Sequence, residues 1–363
     1  MVRRTGVDKW MFCVTLVLVL VGLAMVFSAS AVVAHEKAQS EFVDVGRQAG
    51  WALAGVMAML GLMCVDYSFY KSPRVIFSVL GVVTLLLVAV FFFPGSHNTH
   101  RWIRFGSRFT FQPSEMAKPV LVLFLAWFLQ SRLGKMRDWK HTLLGAAVVP
   151  VVFMLLVVKQ PDLGTALVLG GVTALMVFLA GIDKKWIIGA FLLASPELIW
   201  LLMKPWRMKR LLVFLHPESD PLGDGFHIYQ SLVAVGAGGL TGRGYMEGIQ
   251  KLFFLPEATT DFIYANIAEE LGFLGAISIL LLFMIFGWRG LRTAFRSQDP
   301  FARLVAFGIT ATIVLQAFFN ISVVLSLVPT KGLPLPLISS GGTSLFTTLA
   351  SIGILLSISR QTE

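Results

Sequence analysis

Apolar residues in this chain come in long unbroken runs, not in the alternation of a strand or the one-sided stripe of a surface helix. Ten runs stand out, at 10–33, 50–65, 75–93, 113–129, 143–158, 164–180, 186–203, 262–288, 304–328 and 340–359. They approach the roughly 20 residues that a helix needs to cross a hydrocarbon core of about 30 Å, and none has the roughly 10-residue alternation of a membrane strand. Inside lipid every backbone N–H and C=O must be paired within the protein, which leaves helices or closed barrels. The pattern therefore predicts an all-α polytopic membrane protein of about ten transmembrane helices. The first run follows Arg3-Arg4 and ends in small residues, like a cleavable signal. It is too long for a signal core and many spans follow it, so a retained signal anchor is expected. Pro196 predicts an irregular seventh helix, with Glu197 capping the kink.

Most connections are short. Residues 204–261 are the exception, with apolar stretches at 211–215, 232–235 and 252–255 set among Gly, Pro and charged residues. That mixture predicts an ordered extracytoplasmic loop packed over the bundle, within one domain spanning 1–363. The Gly-rich run at 236–244 lacks a GK[ST] ending, so it is not read as a nucleotide loop.

Composition sharpens this reading. Of 363 residues, 56% are hydrophobic and 14% charged, against about 25% charged in soluble domains. A net charge of +10 would suit a nucleic-acid partner, but the cations are scattered among loops. Orientation in the membrane and anionic head groups account for them, and no nucleic acid is expected. The segments assigned to the cytoplasm hold more than twice the Lys and Arg of the short opposing loops, which places both termini inside. The two cysteines, Cys13 and Cys64, lie in apolar runs and are read as packing residues. His97 and His100 form the one close histidine pair, too little for a metal site.

Candidate chemistry sits where polar groups meet the membrane, because such groups are costly there. Glu115 and Lys118 are three apart on one helical face: an internal ion pair, or the wall of a polar cavity open to the outer face. Asp162 caps the sixth helix or lines that cavity. Asp261 falls where the long loop enters the eighth helix, as a cap or as a general base toward a sugar hydroxyl. Glu269-Glu270 should face the bundle interior. The Pro- and Gly-rich 329–344 segment predicts a re-entrant turn, tolerated at depth only inside protein or beside a cavity. Cations also collect on the outer side: Arg101, Arg104 and Arg108, then Lys204, Arg207, Lys209, Arg210, Arg243 and Lys251. Lipid head groups or an anionic substrate would explain them.

Eight motifs then follow in one order: FQPSEMAK (111–118), QPDLGTA (160–166), PWRMKRLLVF (205–214), DPLGDG (220–225), QSLVAVGAGG (230–239), LPEATTDFI (255–263), EELGFLG (269–275) and PTKGLPLPLISSGGTS (329–344). Over nearly its whole length the chain resembles the SEDS family, whose members polymerise peptidoglycan from lipid II. Gln250-Lys251-Leu252 before LPEA, and Lys331, are similar to its division branch more than to its elongation branch. The resemblance implies transfer of a growing glycan from undecaprenyl pyrophosphate to the 4-hydroxyl of a lipid II acceptor. It implies Asp261 as the catalytic carboxylate, and Arg101, Lys118, Arg210, Lys251 and Lys331 as pyrophosphate contacts. Glu115, Asp162 and Glu257 would shape the cavity, and Arg207, Glu270 and Ser339 complete the substrate-binding set. No cofactor is implied for certain, though a divalent cation is compatible, and no residue is assigned as a metal ligand. The implied partners are lipid II, the nascent glycan strand, a class B penicillin-binding protein (an FtsI-type transpeptidase) and divisome activators. The implied location is the bacterial inner membrane, concentrated at the division septum. A lipid II flippase, an elongation-type polymerase and a non-catalytic scaffold remain as alternatives. No internal repeat of the transporter kind is visible.

Overall fold

The structure is a computed structural model that describes residues 6–36, 42–93, 100–105, 109–135, 139–215, 225–252, 254–329 and 332–361. Its helices are α1 (Lys9–Glu36), α2 (Phe42–Cys64), α3 (Pro73–Ala89), α4 (Pro113–Arg132), α5 (Trp139–Lys159), α6 (Leu163–Leu179), α7 (Lys184–Leu202), α8 (Pro205–Leu215), α9 (Phe226–Ala237), α10 (Ile263–Arg296), α11 (Pro300–Val324) and α12 (Gly342–Ser359). Ten of them coincide with the ten apolar runs. Six, namely α1, α3, α5, α10, α11 and α12, are long and apolar enough to cross a membrane, and α6 is a shorter apolar helix. The other two, α8 and α9, lie in the long connection that was expected to be ordered. A two-stranded antiparallel hairpin, β1 (Ile103–Phe105) and β2 (Phe109–Phe111), precedes α4 with Arg104 opposite Thr110. The sequence reading had no strands there.

Local chemistry explains several helix starts. Pro73, Pro113 and Pro300 occupy first turns, where a missing N–H leaves nothing unpaired. Asp162 caps α6 by accepting from Thr165 N–H at 3.1 Å, and Asp299 caps α11 by accepting from Phe301 N–H at 3.1 Å. The helix over 184–202 runs through Pro196; the side chain of Glu197 lies outside what is described.

α11 and α12 form the centre, with 67% and 78% of their most apolar stretches buried, against 22% for α3 and 28% for α5 at the lipid-facing rim. Apolar side chains gain little by leaving lipid for one another, so close backbone approach carries the packing. At Gly353 of α12, an added Cβ would lie 2.6 Å from the Met59 carbonyl oxygen of α2. Cys13 and Cys64 are free and exposed on helix surfaces; the expectation that they pack inside gives way to a lipid-facing placement.

The bundle has two distinct ends. At one, Asp8 N–H donates to Ser359 Oγ at 3.3 Å and Arg289 binds Asp8 Oδ2 at 2.6–2.7 Å, so the first helix, the last helix and the end of α10 meet. At the far end lie the α9–α10 connection and the 332–341 segment. The latter dips inward: an added Cβ on Gly22, halfway along α1, would lie 2.7 Å from Ile338 Cα. This is the re-entrant backbone that the prolines and glycines predicted.

The sequence reading took residues 262–288 as one continuous helix, but α10 is broken at Gly272, whose φ of 68° is left-handed. The break frees backbone groups that the Gly-rich run satisfies. Arg243 N–H and Gly244 N–H donate to Glu269 C=O and Glu270 C=O at 3.0 and 3.1 Å. Phe273 N–H and Leu274 N–H donate to Gly239 C=O and Leu240 C=O at 2.9 and 3.1 Å. Both backbones come so close that a Cβ on Gly242 would lie 2.1 Å from Glu270 O. Unpaired amides at this depth would cost several kcal/mol each, so the glycines serve close approach and no nucleotide.

Candidate active site

Asp261 sits two residues before α10, on a loop fastened from three sides. Asn320 of α11 donates from Nδ2 to the Asp261 carbonyl at 2.8 Å and to the Leu333 carbonyl at 2.7 Å. Ser339 Oγ donates to Thr260 C=O at 2.6 Å and accepts from Leu335 N–H at 2.7 Å, while Ser340 N–H donates to Thr259 C=O at 2.9 Å. Asn266 Nδ2, one turn into α10, donates to Ala258 C=O at 2.9 Å. The re-entrant segment is held in turn by Gln48 of α2, which donates to Ser339 C=O at 3.1 Å and accepts from Gly341 N–H at 3.3 Å. The Asp261 carboxylate lies against Gly332, where an added Cβ would be 2.6 Å from Oδ2.

The side chain is half-buried, open enough to meet a ligand yet short of water. Burial is the main reason its carboxyl is pushed up to about 7, and the negative charges of Glu257 and Asp162 push the same way. Arg101 and Arg210 oppose them. A carboxyl poised near neutrality in the field of two guanidinium groups suits proton abstraction at physiological pH. Raised pKa values also occur in structural clusters; here the carboxyl also packs against Gly332, next to the Leu333 that walls an apolar cavity.

Five predicted residues are thus gathered electrostatically: Arg101, Asp162, Arg210, Glu257 and Asp261. Arg101 donates from Nε to Gln160 C=O at 3.0 Å and from a terminal nitrogen to Pro161 C=O. Two of its five N–H groups are thereby engaged. Asp162 Oδ2 accepts from Gln112 Nε2 at 3.3 Å and Thr165 Oγ1 at 2.9 Å. Glu257 accepts from Thr260 Oγ1 at 2.7 Å.

The others fall elsewhere. Glu115 and Lys118 form a buried pair at 2.7 Å, and Lys118 donates to Gln316 Oε1 at 2.6 Å. Gln316 lies one helical turn from Asn320 and donates to Pro334 C=O at 2.8 Å, so this pair braces the layer beneath the site. The cavity it lines, of about 20 Å³, suits a single water. Lys251 and Glu270 were expected to face substrate. They pair with each other at 2.7 Å, both buried, and share Ser28 Oγ of α1. Their charges are spent on the loop–helix junction, where Glu270 also accepts from Met246 N–H at 3.0 Å. Glu269-Glu270 do face the interior. Ser339 acts through backbone contacts, as given above. Lys331 and the side chain of Arg207 lie outside the described residues, as do Arg108 and His97.

An apolar cavity of about 190 Å³ opens between α6 and α11, walled by Gly164, Leu167, Phe319, Val323 and Leu333. Leu333 neighbours the Gly332 that touches Asp261, so an apolar chain and a polar head could be held side by side. Among the described residues no group of three or more His, Cys, Asp or Glu is arranged to hold a metal ion.

Sequence reasoning missed Asn320, Gln316, Gln48 and Ser28. The signal was available for two of them: Gln316 and Asn320 are polar residues four apart inside an apolar span, hence on one face.

A family model described as FTSW_RODA_SPOVE, cell cycle protein, matches residues 8–363. The chain is 43% identical over 345 residues to a Geobacter metallireducens protein named probable peptidoglycan glycosyltransferase FtsW, covering 94% of this chain and 91% of that one. It is 39% identical over 366 residues to stage V sporulation protein E of Bacillus subtilis, covering 99% of each. A chain from a solved structure described as "Structural coordination of polymerization and crosslinking by a peptidoglycan synthase complex" superposes with a TM-score of 0.79, at 30% identity over 98% of both chains. The rod shape determining protein RodA of Thermus thermophilus shares the fold, with a TM-score of 0.70 at 24% identity over 98% of this chain and 97% of that one.

Proposed function

The chain belongs to the FtsW/RodA/SpoVE family of cell cycle proteins, and from that premise we propose that it is a septal peptidoglycan glycosyltransferase that builds glycan strands from lipid II, with Asp261 as catalytic base. The observation that carries this reading is a half-buried carboxyl near neutrality, within electrostatic reach of Arg101 and Arg210, packed against Gly332 next to the Leu333 wall of an apolar cavity.

In the reaction, Asp261 takes the proton from the acceptor's 4-hydroxyl as that oxygen bonds to the anomeric carbon of the donor glycan. The bond from that carbon to the pyrophosphate oxygen breaks, and undecaprenyl pyrophosphate leaves with the electron pair. Arg101 and Arg210 offset the charge that builds on the leaving group, the kind of contact that strengthens toward the transition state. The apolar cavity between α6 and α11 suits the isoprenoid chain. Glu257 and Asp162 keep the Asp261 carboxyl from being too weak a base.

The far end of the bundle is the extracytoplasmic one. The distribution of Lys and Arg supports this. The enzyme works with a class B penicillin-binding protein that cross-links its product. Its likeness to a chain from a complex that couples polymerization with crosslinking supports that pairing. Division activators and concentration at the septum belong to the same reading, by family.

The test is strand synthesis from purified lipid II by the full chain with its transpeptidase partner. Wild type should give polymer and Asp261→Ala none, at equal protein levels. Polymer from Asp261→Ala would remove Asp261 from the chemistry, whereas lipid II translocation without polymer from the wild type would make the protein a flippase.

A further inference from the structure

The pole that carries the chain ends holds a cavity of about 290 Å³ that the proposed reaction does not use. It is lined by Gly6 to Trp10 ahead of and at the start of α1, by Arg289, Arg292, Thr293 and Arg296 near the end of α10, and by Ser359 of α12. A single water needs only about 10–15 Å³, so this space admits a molecular group. Its charged lining is Lys9, Arg289, Arg292 and Arg296 against one acid, Asp8. Asp8 is committed: it caps α1 by accepting from Met11 N–H at 3.0 Å and is gripped by Arg289. Thr293 and Ser359 also line the wall, their hydroxyls donating to the Arg289 and Leu356 carbonyls. A cavity with three more cations than anions suits a phosphate-type anion.

Depth decides what brings that anion. Trp10 in the lining and Trp288 beside it are 67% and 61% exposed, and the Arg289 guanidinium lies 5.7 Å from the centroid of the Trp288 ring. Large indoles left exposed at the ends of spanning helices belong at the head-group level, where one edge is wet and the body is apolar. The cavity therefore opens sideways into the head-group layer, at the join of α1, α10 and α12.

We propose that this cavity seats the phosphate of an anionic phospholipid. On the orientation given above, the lipid belongs to the cytoplasmic leaflet. Arg292 and Arg296 hold the phosphate from the α10 side and Lys9 from the α1 side, with the acyl chains lying along α1 and α10. The bound lipid would rivet the first, tenth and last helices at a point where Asp8 is their only described acidic link in the cavity wall.

The test uses the full chain in neutral detergent and measures binding of short-chain phosphatidylglycerol, with the phosphatidylcholine of the same chain length and inorganic phosphate as parallel arms. Phosphatidylglycerol should bind saturably and phosphatidylcholine much more weakly. Arg292→Gln with Arg296→Gln should lower the affinity roughly thirtyfold. Arg292→Lys with Arg296→Lys should keep it within a few-fold, which separates charge from misfolding. Lys184→Gln with Lys185→Gln removes equal charge from the exposed start of α7 and should leave binding unchanged. Equal weakening by the two Gln pairs, equal binding of phosphatidylcholine, or displacement of the lipid by low inorganic phosphate overturns the proposal. No glycan synthesis is read, so the outcome stands apart from that of the strand-synthesis test.

Discussion

A carboxyl held near 7 makes Asp261 a group whose protonation changes across the physiological range. Only its ionised form can accept a proton, so the polymerisation rate should rise with pH through about 7 and level off above it, read as initial rate against pH. Glu257→Gln removes a neighbouring negative charge and should move that limb to lower pH. Arg210→Gln removes an opposing positive charge and should move it higher. A limb that ignored both substitutions would mean that another group titrates. The same shift has a stability sign. A folded acid that holds its proton up to about 7, against an ordinary value of 3.8, favours the folded state most at low pH and loses that contribution as pH climbs from about 4 to about 7. Asp261→Asn should therefore abolish synthesis yet raise the thermal midpoint above pH 7, measured in detergent. An unchanged or lower midpoint would mean that the native charge is well compensated. Buried catalytic charges commonly trade stability for activity in this way.

Elements were the most legible level of this chain, and the reason is physical: a hydrocarbon solvent forces long apolar runs, and all ten runs are helices. What escaped were features set by pairing across distance. The hairpin before α4 has only three residues per strand, too few to show alternation. The break at Gly272 was hidden because its flanks remain helical, and its partners come from a loop about 30 residues earlier. Lys251 was read as a pyrophosphate contact because nothing nearby in sequence announces Ser28 of α1 or the depth at which Glu270 lies. Lys251→Met should cost about 3–5 kcal/mol by leaving Glu270 charged and alone, and adding Glu270→Gln should recover much of it. Activity lost from Lys251→Met at full stability would instead return this lysine to the substrate. Gly272→Ala combines a left-handed φ with a Cβ placed 2.2 Å from Gly242 N, so a loss of at least about 2 kcal/mol is expected in the same melting assay. Asp261 itself was legible from its position at a loop–helix border and from the motif around it, and Ser339 from its motif, whereas Gln48, which holds the re-entrant segment, and Asn266, which fastens the loop, gave no such signal.

At the scale of the molecule, two poles do different work. One gathers the start of α1, the end of α12, the Asp8–Arg289 pair and the cation-lined cavity; the other holds Asp261 and the loop that fastens it. Single cysteines placed at 6 and 361, in a chain without Cys13 and Cys64, should react with a membrane-impermeant maleimide only after the cells are permeabilised, whereas one at Leu252, which is exposed in the far loop, should react in intact cells. Labelling of 6 or 361 in intact cells would reverse the assigned orientation. Finally, the seam at Gly272 is sewn by a loop, not by the helix's own turns. The nine residues from 263 to 271, roughly 13 Å at 1.5 Å each, form a short arm with Asp261 just beyond its tip and the seam as its fulcrum. Whatever displaces 239–250 therefore displaces that fulcrum too, because the loop's own backbone closes the helix there.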